Sequence, residues 1–213
     1  MNGHVALLGD SVFDNGAYTR GAPDVAAHVR TALGERWRVT LLAVDGTTTT
    51  DIGSQLDRIS RDASHLLLSL GGNDALLSAD LLDTPVRSTG EALDLFRGRL
   101  DAFETTYGYV LEALAALDRR LVVCTIYNGN LDEQEAGRAR VALMLFNDVI
   151  MRGALGAKAD LLELRAICRA PDDFANPIEP SGSGGQKIAH AIAAAVRLDR
   201  GTASRLLGAA GGA

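Results

Sequence analysis

Val5-Ala6-Leu7-Leu8-Gly9-Asp10-Ser11 decides how the rest of this chain is read. A short apolar run ends abruptly in Gly-Asp-Ser and continues as Val12-Phe13-Asp14-Asn15-Gly16. Val5 to Leu8 has the make-up of a buried strand, and Gly9 that of the sharp turn leaving its carboxyl end. In an open α/β sheet, ligands bind just outside the carboxyl ends of the strands. Ser11 therefore stands where chemistry is usually sited. Ser and Asp after a strand also serve as helix caps, and this stretch alone leaves the two readings even.

Working outward, strands and helices alternate. Pro23 opens a helix with Val25, Val29 and Leu33 on one face and Gly34 as its stop. Trp37 to Val44 reads as the second strand, followed by a polar loop with Asp45-Gly46 and Thr47 to Thr50. Ile52, Leu56 and Ile59 mark a short helix. Leu66 to Leu70 is the third strand and ends in Gly71-Gly72-Asn73-Asp74. A long helical region runs to about Leu117, with breaks expected near Pro85 and Gly90. Leu121 to Ile126 is the fourth strand, Glu133 to about Leu155 a helix, and Leu161 to Leu164 a short fifth strand. Asp172 to Gly185 reads as an irregular loop, and Lys187 to Leu198 as the closing helix.

Apolar strands separated by helices predict a parallel sheet covered on both faces, a three-layer α/β/α fold. Right-handed crossovers put every carboxyl end on one rim. One domain is expected over residues 1–200, with 201–213 as a flexible tail rich in Gly and Ala.

Composition narrows the function. The chain has 47% hydrophobic and 23% charged residues, ordinary for a globular protein, and no apolar run long enough to span a bilayer. The N-terminus enters the first strand without a basic segment or signal-peptide core, which points to the cytoplasm. A net charge of −6 argues against nucleic acid or an anionic membrane as the main partner. Cys124 and Cys168 lack zinc or haem spacing, and Cys124, inside an apolar strand, reads as a buried free thiol.

The rim carries the candidate chemistry. Acyl transfer needs a nucleophile, a base and donors aimed at the developing oxyanion. Ser11 can supply the first. The backbone N–H groups of Ser11 and Gly46, with the Asn73 amide, can supply the third. Glycine suits position 46 because a donor there must approach substrate closely. Singly, each loop is ordinary turn chemistry; three after consecutive strands are harder to dismiss.

These residues resemble the GDSL-type, or SGNH, hydrolases. Gly9-Asp10-Ser11 is similar to the first block of that family, Asp45-Gly46 sits where its second-block glycine stands, and Gly71-Gly72-Asn73-Asp74 matches its third block, Gly-x-Asn-Asp. Pro180-Ser181, Gly185 and Lys187-Ile188-Ala189 match the frame of its last block. The resemblance implies a flavodoxin-like sheet of five parallel strands in order 2-1-3-4-5. It implies hydrolysis of a small-molecule ester without a cofactor or metal, with Ser11 as nucleophile and Ser11, Gly46 and Asn73 as the oxyanion hole.

The last block departs from the family pattern, which is Asp-x-x-His. Here the stretch reads Asn176-Pro177-Ile178-Glu179, with Glu179 in the histidine position and Asn176 in the aspartate position. The double change is coherent, because the aspartate exists to orient and stabilise an imidazolium, and beside a glutamate it would repel. Glu179 is therefore the candidate base. An ionised Glu179 would place the acidic limb of the rate profile below that of a histidine enzyme, unless burial raises its pKa. The competing reading of Glu179 is a salt bridge with Arg20 or Arg169. His4 and His65 precede strands at the opposite rim, and His28 and His190 lie within helices, so none is expected on a catalytic loop. Asp172 and Asp173 are read as solvated loop charges that can also contact substrate or Arg169.

The sequence thus favours a serine esterase with an altered base, acting on a small acyl or acetyl ester. The alternative is a weak or inactive protein of the same fold that binds an acyl or sugar ligand. A phosphate- or nucleotide-binding flavodoxin-like protein is weaker still, because no Gly-rich loop with a lysine follows the first strand.

Overall fold

The computed structural model describes residues 3–199, 201 and 203–209. Its sheet is parallel throughout, in the order β2-β1-β3-β4-β5-β6. The strands are β1 (Gly3–Gly9), β2 (Trp37–Leu41), β3 (His65–Ser69), β4 (Arg120–Cys124), β5 (Asp160–Leu162) and β6 (Leu206–Leu207). The first five follow the expected order.

The sixth strand corrects the reading of the tail as flexible. The Leu161 N–H donates to the Arg205 carbonyl and the Glu163 N–H to that of Leu207, so the edge of β5 is paired. Arg205 is held by Asp160, with Nη2 at 2.7 Å from Oδ2. Two leucines in a stretch rich in Gly and Ala give no strand pattern, which is why the sequence hides it. Residues 202 and 210–213 of that tail lie outside the described residues.

The layers follow from the alternation of side chains along each strand. Val5 and Leu7 pack with α1 (Val25–Leu33) and α7 (Gly182–Arg197) through Val29, Ile188 and Ile192. Ala6 and Leu8 point the other way, toward α4 (Thr89–Ala115) and α5 (Glu133–Gly156), through Tyr107, Leu114 and Ile150. Each fully buried Leu contributes about 1.5–3 kcal/mol by leaving water. Among the described residues, no helix is long and apolar enough to cross a membrane.

Several boundaries differ from expectation. β2 ends at Leu41 rather than Val44, because the Leu42 and Ala43 N–H groups both turn back onto the Leu7 carbonyl. From Gly72 onward come α3 (Gly72–Leu76), which contains Asn73, a 3-10 turn (Ala79–Asp83) and then α4. Pro85 lies in the break, but Gly90 lies in the first turn of α4, whose start is capped by Ser88. β5 stops at Leu162, and Leu164 begins the single-turn α6 (Leu164–Ile167). α7 begins at Gly182, five residues ahead of Lys187, with the Ser181 hydroxyl accepting from the Gly184 N–H. Its early glycines look like loop, yet packing requires one of them. A Cβ on Gly184 would stand 2.0 Å from the Asp173 carbonyl oxygen.

Candidate active site

The turn after β1 is forced by close contact. Gly9 has φ +122°, and a Cβ there would lie 1.7 Å from the Ser69 carbonyl oxygen. The chain leaves the sheet, the Asp10 carboxylate accepts from the Val12 N–H, and Ser11 comes to rest at the rim. Gln55 locks this turn: its amide bonds both the N–H and the carbonyl of Gly9 at 2.8 Å, and reaches the Thr47 hydroxyl. Asn15, fully buried, accepts from the Val25 N–H and donates to the Pro180 carbonyl at 3.0 Å. It thereby ties the first loop to the last. Neither Gln55 nor Asn15 stands out in the sequence, since a buried amide leaves no periodic signature.

The second and third loops converge on the same place. Gly46 has φ +81°, and nothing lies within 4 Å of where its Cβ would be, so its side toward solvent is open. The N–H groups of Ser11 and Gly46 have no acceptor among the described residues. The Asn73 Nδ2 donates to the Thr47 carbonyl at 3.0 Å, which fixes the amide and leaves its second N–H available.

Glu179 meets Ser11. The Ser11 hydroxyl donates to Glu179 Oε1 at 2.9 Å, in a buried contact. Several backbone bonds hold the glutamate. Asn176 Oδ1 accepts from the Ile178 and Glu179 N–H groups, and the Glu179 carbonyl accepts from the Ala175 N–H. The Tyr127 hydroxyl donates to the Ile178 carbonyl at 2.6 Å. The Asn176 side chain therefore shapes the backbone of the loop and makes no hydrogen bond to the Glu179 carboxylate. Burial pushes the Glu179 carboxyl up to about 7, against the Ser11 hydrogen bond and with help from the charge of Asp45. Asp10 is likewise raised to about 7 by burial, opposed by the Val12 N–H and assisted by the charges of Glu179 and Asp74.

The remaining candidates from the sequence fall elsewhere. Neither Arg20 nor Arg169 forms an ion pair with Glu179. Asp173 is not a solvated loop charge: it is buried, accepts from the Arg169 and Ala170 N–H groups, and holds Lys187 Nζ at 2.6 Å. The Asp172 carbonyl accepts from the Ser181 and Ser183 hydroxyls at the start of α7. His4 bonds Asp62 and Thr40, His65 bonds Ser64, His28 faces Gly185 of α7, and His190 is exposed. None of the four reaches Ser11.

Beside Ser11 opens a cavity of roughly 140 Å³ that the sequence does not foretell. Asn73, Asn128 and Glu179 reach it, but its walls are apolar, among them Leu70, Leu82, Phe96, Ile126 and Leu143. Both cysteines are buried and free. Among the described residues, no group of His, Cys, Asp and Glu side chains could hold a metal ion.

The Ser11 hydroxyl, bonded to the buried Glu179 carboxylate, thus lies at the carboxyl rim of a parallel α/β sheet. Residues 7–187 match the GDSL-like Lipase/Acylhydrolase family, and the chain belongs to it. Its fold is similar to that of phospholipase A1 from Streptomyces albidoflavus NA297, with a TM-score of 0.68, 19% identity, and coverage of 92% of this chain and 99% of that one. The extracellular lipase from Streptomyces rimosus gives 0.66, 14%, 92% and 100%. The acetylxylan esterase Axe2 from Geobacillus stearothermophilus gives 0.68, 16%, 92% and 95%. No curated protein sequence matches the chain significantly. Membership supports ester hydrolysis in general.

Proposed function

We propose that the protein hydrolyses carboxylic esters through a Ser11 acyl-enzyme, with Glu179 in place of the family's histidine. The observation that carries this is the 2.9 Å hydrogen bond from the Ser11 hydroxyl to Glu179 Oε1. Ser11 Oγ bonds to the substrate carbonyl carbon as its proton passes to Glu179. The N–H groups of Ser11 and Gly46 and the Asn73 amide receive the oxyanion. The acyl–oxygen bond then breaks, and the alcohol leaves with the proton from Glu179. Water repeats the sequence on the acyl-enzyme: its proton goes to Glu179, the acid is released, and Ser11 recovers its hydrogen.

Burial makes the substitution chemically reasonable. An ordinary glutamate is a poor proton acceptor, but one raised to about 7 matches the working range of a histidine. The reaction needs the carboxylate, so the acidic limb of kcat/KM falls near pH 7 and not near the ordinary glutamate value of 4.5. The apolar cavity suits a small acyl group free of charge.

The test compares wild type, Ser11→Ala and Glu179→Gln on p-nitrophenyl butyrate, with fluorophosphonate labelling of Ser11. Labelling and turnover that both vanish in Ser11→Ala support the assignment. Neither labelling nor turnover in wild type would leave a binding protein. Full Ser11-dependent activity in Glu179→Gln would move the base elsewhere.

A further inference from the structure

The acids around Ser11 share a feature that ester hydrolysis does not itself require: the protein gives none of them a cation. Asp10, Asp14, Asp45, Asp51 and Glu179 lie on loops at the rim, and Asp74 lies in the first turn of α3 beside Asn73. Their partners are neutral. Asp10 accepts from the Val12 N–H, Asp14 from the Asp45 N–H, and Asp45 from the Tyr18 hydroxyl at 2.6 Å. Asp51 accepts from the Thr48 hydroxyl, Asp74 from that of Thr49, and Glu179 from Ser11. Among the described residues, no Lys, Arg or His pairs with any of the six, and none lines the cavity. The other two buried acids, Asp160 and Asp173, each hold a cation.

A second observation concerns hydrogen bonding and not charge. Glu179 is 5% exposed and lines the cavity, and its Oε2 has no hydrogen-bond partner among the described residues. A buried carboxylate oxygen without a donor is costly. The site is therefore short of both positive charge and a donor, at the same side chain.

Sheet order separates the two sides of Ser11. On the β3 side lies the apolar cavity. On the β2 side lie Asp14, Tyr18 and Asp45, none of which touches that cavity. Attack by Ser11 adds further negative charge on the carbonyl oxygen, within a field that is already negative.

We propose that the site takes esters of amino alcohols, with the acyl group in the apolar cavity and the protonated amine held by Asp14, Asp45 and Glu179. The inference rests on Ser11 being the nucleophile. The ammonium offsets the field of the carboxylates, and its N–H supplies the donor that Glu179 lacks. Its charge also favours the ionised form of Glu179, so the base is ready when the substrate is bound.

The test uses two esters of the same shape: the butyrates of 2-(dimethylamino)ethanol, protonated at neutral pH, and of 3-methylbutanol. At low salt the cationic ester is expected to have a kcat/KM about tenfold higher or more, falling severalfold at high salt. In Asp14→Asn/Asp45→Asn the ratio of the two kcat/KM values falls to parity, whatever rate change is common to both esters. A preference of less than about twofold in wild type, with hydrolysis still dependent on Ser11, overturns the proposal and leaves the hydrolase reading standing. If no ester is hydrolysed, that reading fails and calorimetric binding of the same two esters decides the charge question. Tighter binding of the cationic ester, lost in the double variant, supports the proposal; equal binding overturns it.

Discussion

Asp160, at the start of β5, and Glu179, on the loop before α7, are 6% and 5% exposed, yet they reach opposite electrical states. Burial disfavours ionisation of Asp160, but hydrogen bonds from Arg205 and Arg120 outweigh it and hold its carboxyl below the usual range. Glu179 feels the same burial, gains one hydroxyl and no cation, and rises to about 7. The difference teaches that burial alone does not mark a working acid. Asp160 is given its counter-charge, whereas Glu179 is left near the point of titration, the state that the proposed proton transfer needs.

Removing the carboxylate of Glu179 should do the most damage to function. Glu179→Gln keeps the shape and the hydrogen bond from Ser11 but cannot take a proton. We expect kcat/KM on p-nitrophenyl butyrate to fall roughly 10³- to 10⁴-fold, about 4–5 kcal/mol. Circular dichroism should show the variant folded. An unchanged rate would make Glu179 as structural as Asp160 and erase the contrast.

Asn73→Ala comes next. Loss of an oxyanion donor costs roughly 100- to 1,000-fold in kcat, about 3–4 kcal/mol, with KM changing little. The Thr47 carbonyl that orients the amide also loses its partner, so a urea melt is needed beside the kinetics. Unchanged turnover in a folded variant would assign Asn73 a structural role.

Asp160→Asn is the reciprocal experiment. It leaves Arg120, whose side chain is 9% exposed, and Arg205 without their anion. We expect about 2–3 kcal/mol of lost stability in chemical denaturation, with kcat/KM of the folded enzyme within about twofold. A large kinetic defect at full stability would mean that the two acids do not divide structure from chemistry.

The two ends of this comparison are not equally legible in the sequence. Gly9-Asp10-Ser11 and Asn73 sit just beyond strands, where local pattern finds them, and Glu179 is marked by the family resemblance, which puts it in the histidine position. Asp160 meets Arg120 and Arg205 only after the sheet closes, 40 and 45 residues away in sequence. Its partner strand, Leu206–Leu207, is too short to show periodicity. Asp173 misleads for the same reason: its burial depends on Gly184 drawing α7 against it, and the glycine suggests loop. The apolar cavity is likewise assembled from residues spread between Asp10 and Glu179.

The smallest effect gives the sharpest contrast, because the two acids should move stability with opposite dependence on pH. Glu179 has a folded pKa raised from 4.5 to about 7. Folding is therefore relatively favoured while it is protonated, below about pH 4.5, and that advantage is lost as pH rises through 7. Glu179→Gln removes the loss, so at pH 8 the variant should be more stable than wild type by on the order of 1–2 kcal/mol. The gain should fade toward zero by about pH 4. Asp160 has a lowered folded pKa, so its contribution is present above 3.8 and is lost as pH falls through the folded value. The deficit of Asp160→Asn should accordingly be full at pH 8 and shrink only in strong acid. Urea melts of both variants and wild type at pH 4, 6 and 8 measure this directly. A Glu179→Gln variant that loses stability at pH 8 would show that its carboxylate is compensated after all, and that the two sites are built alike.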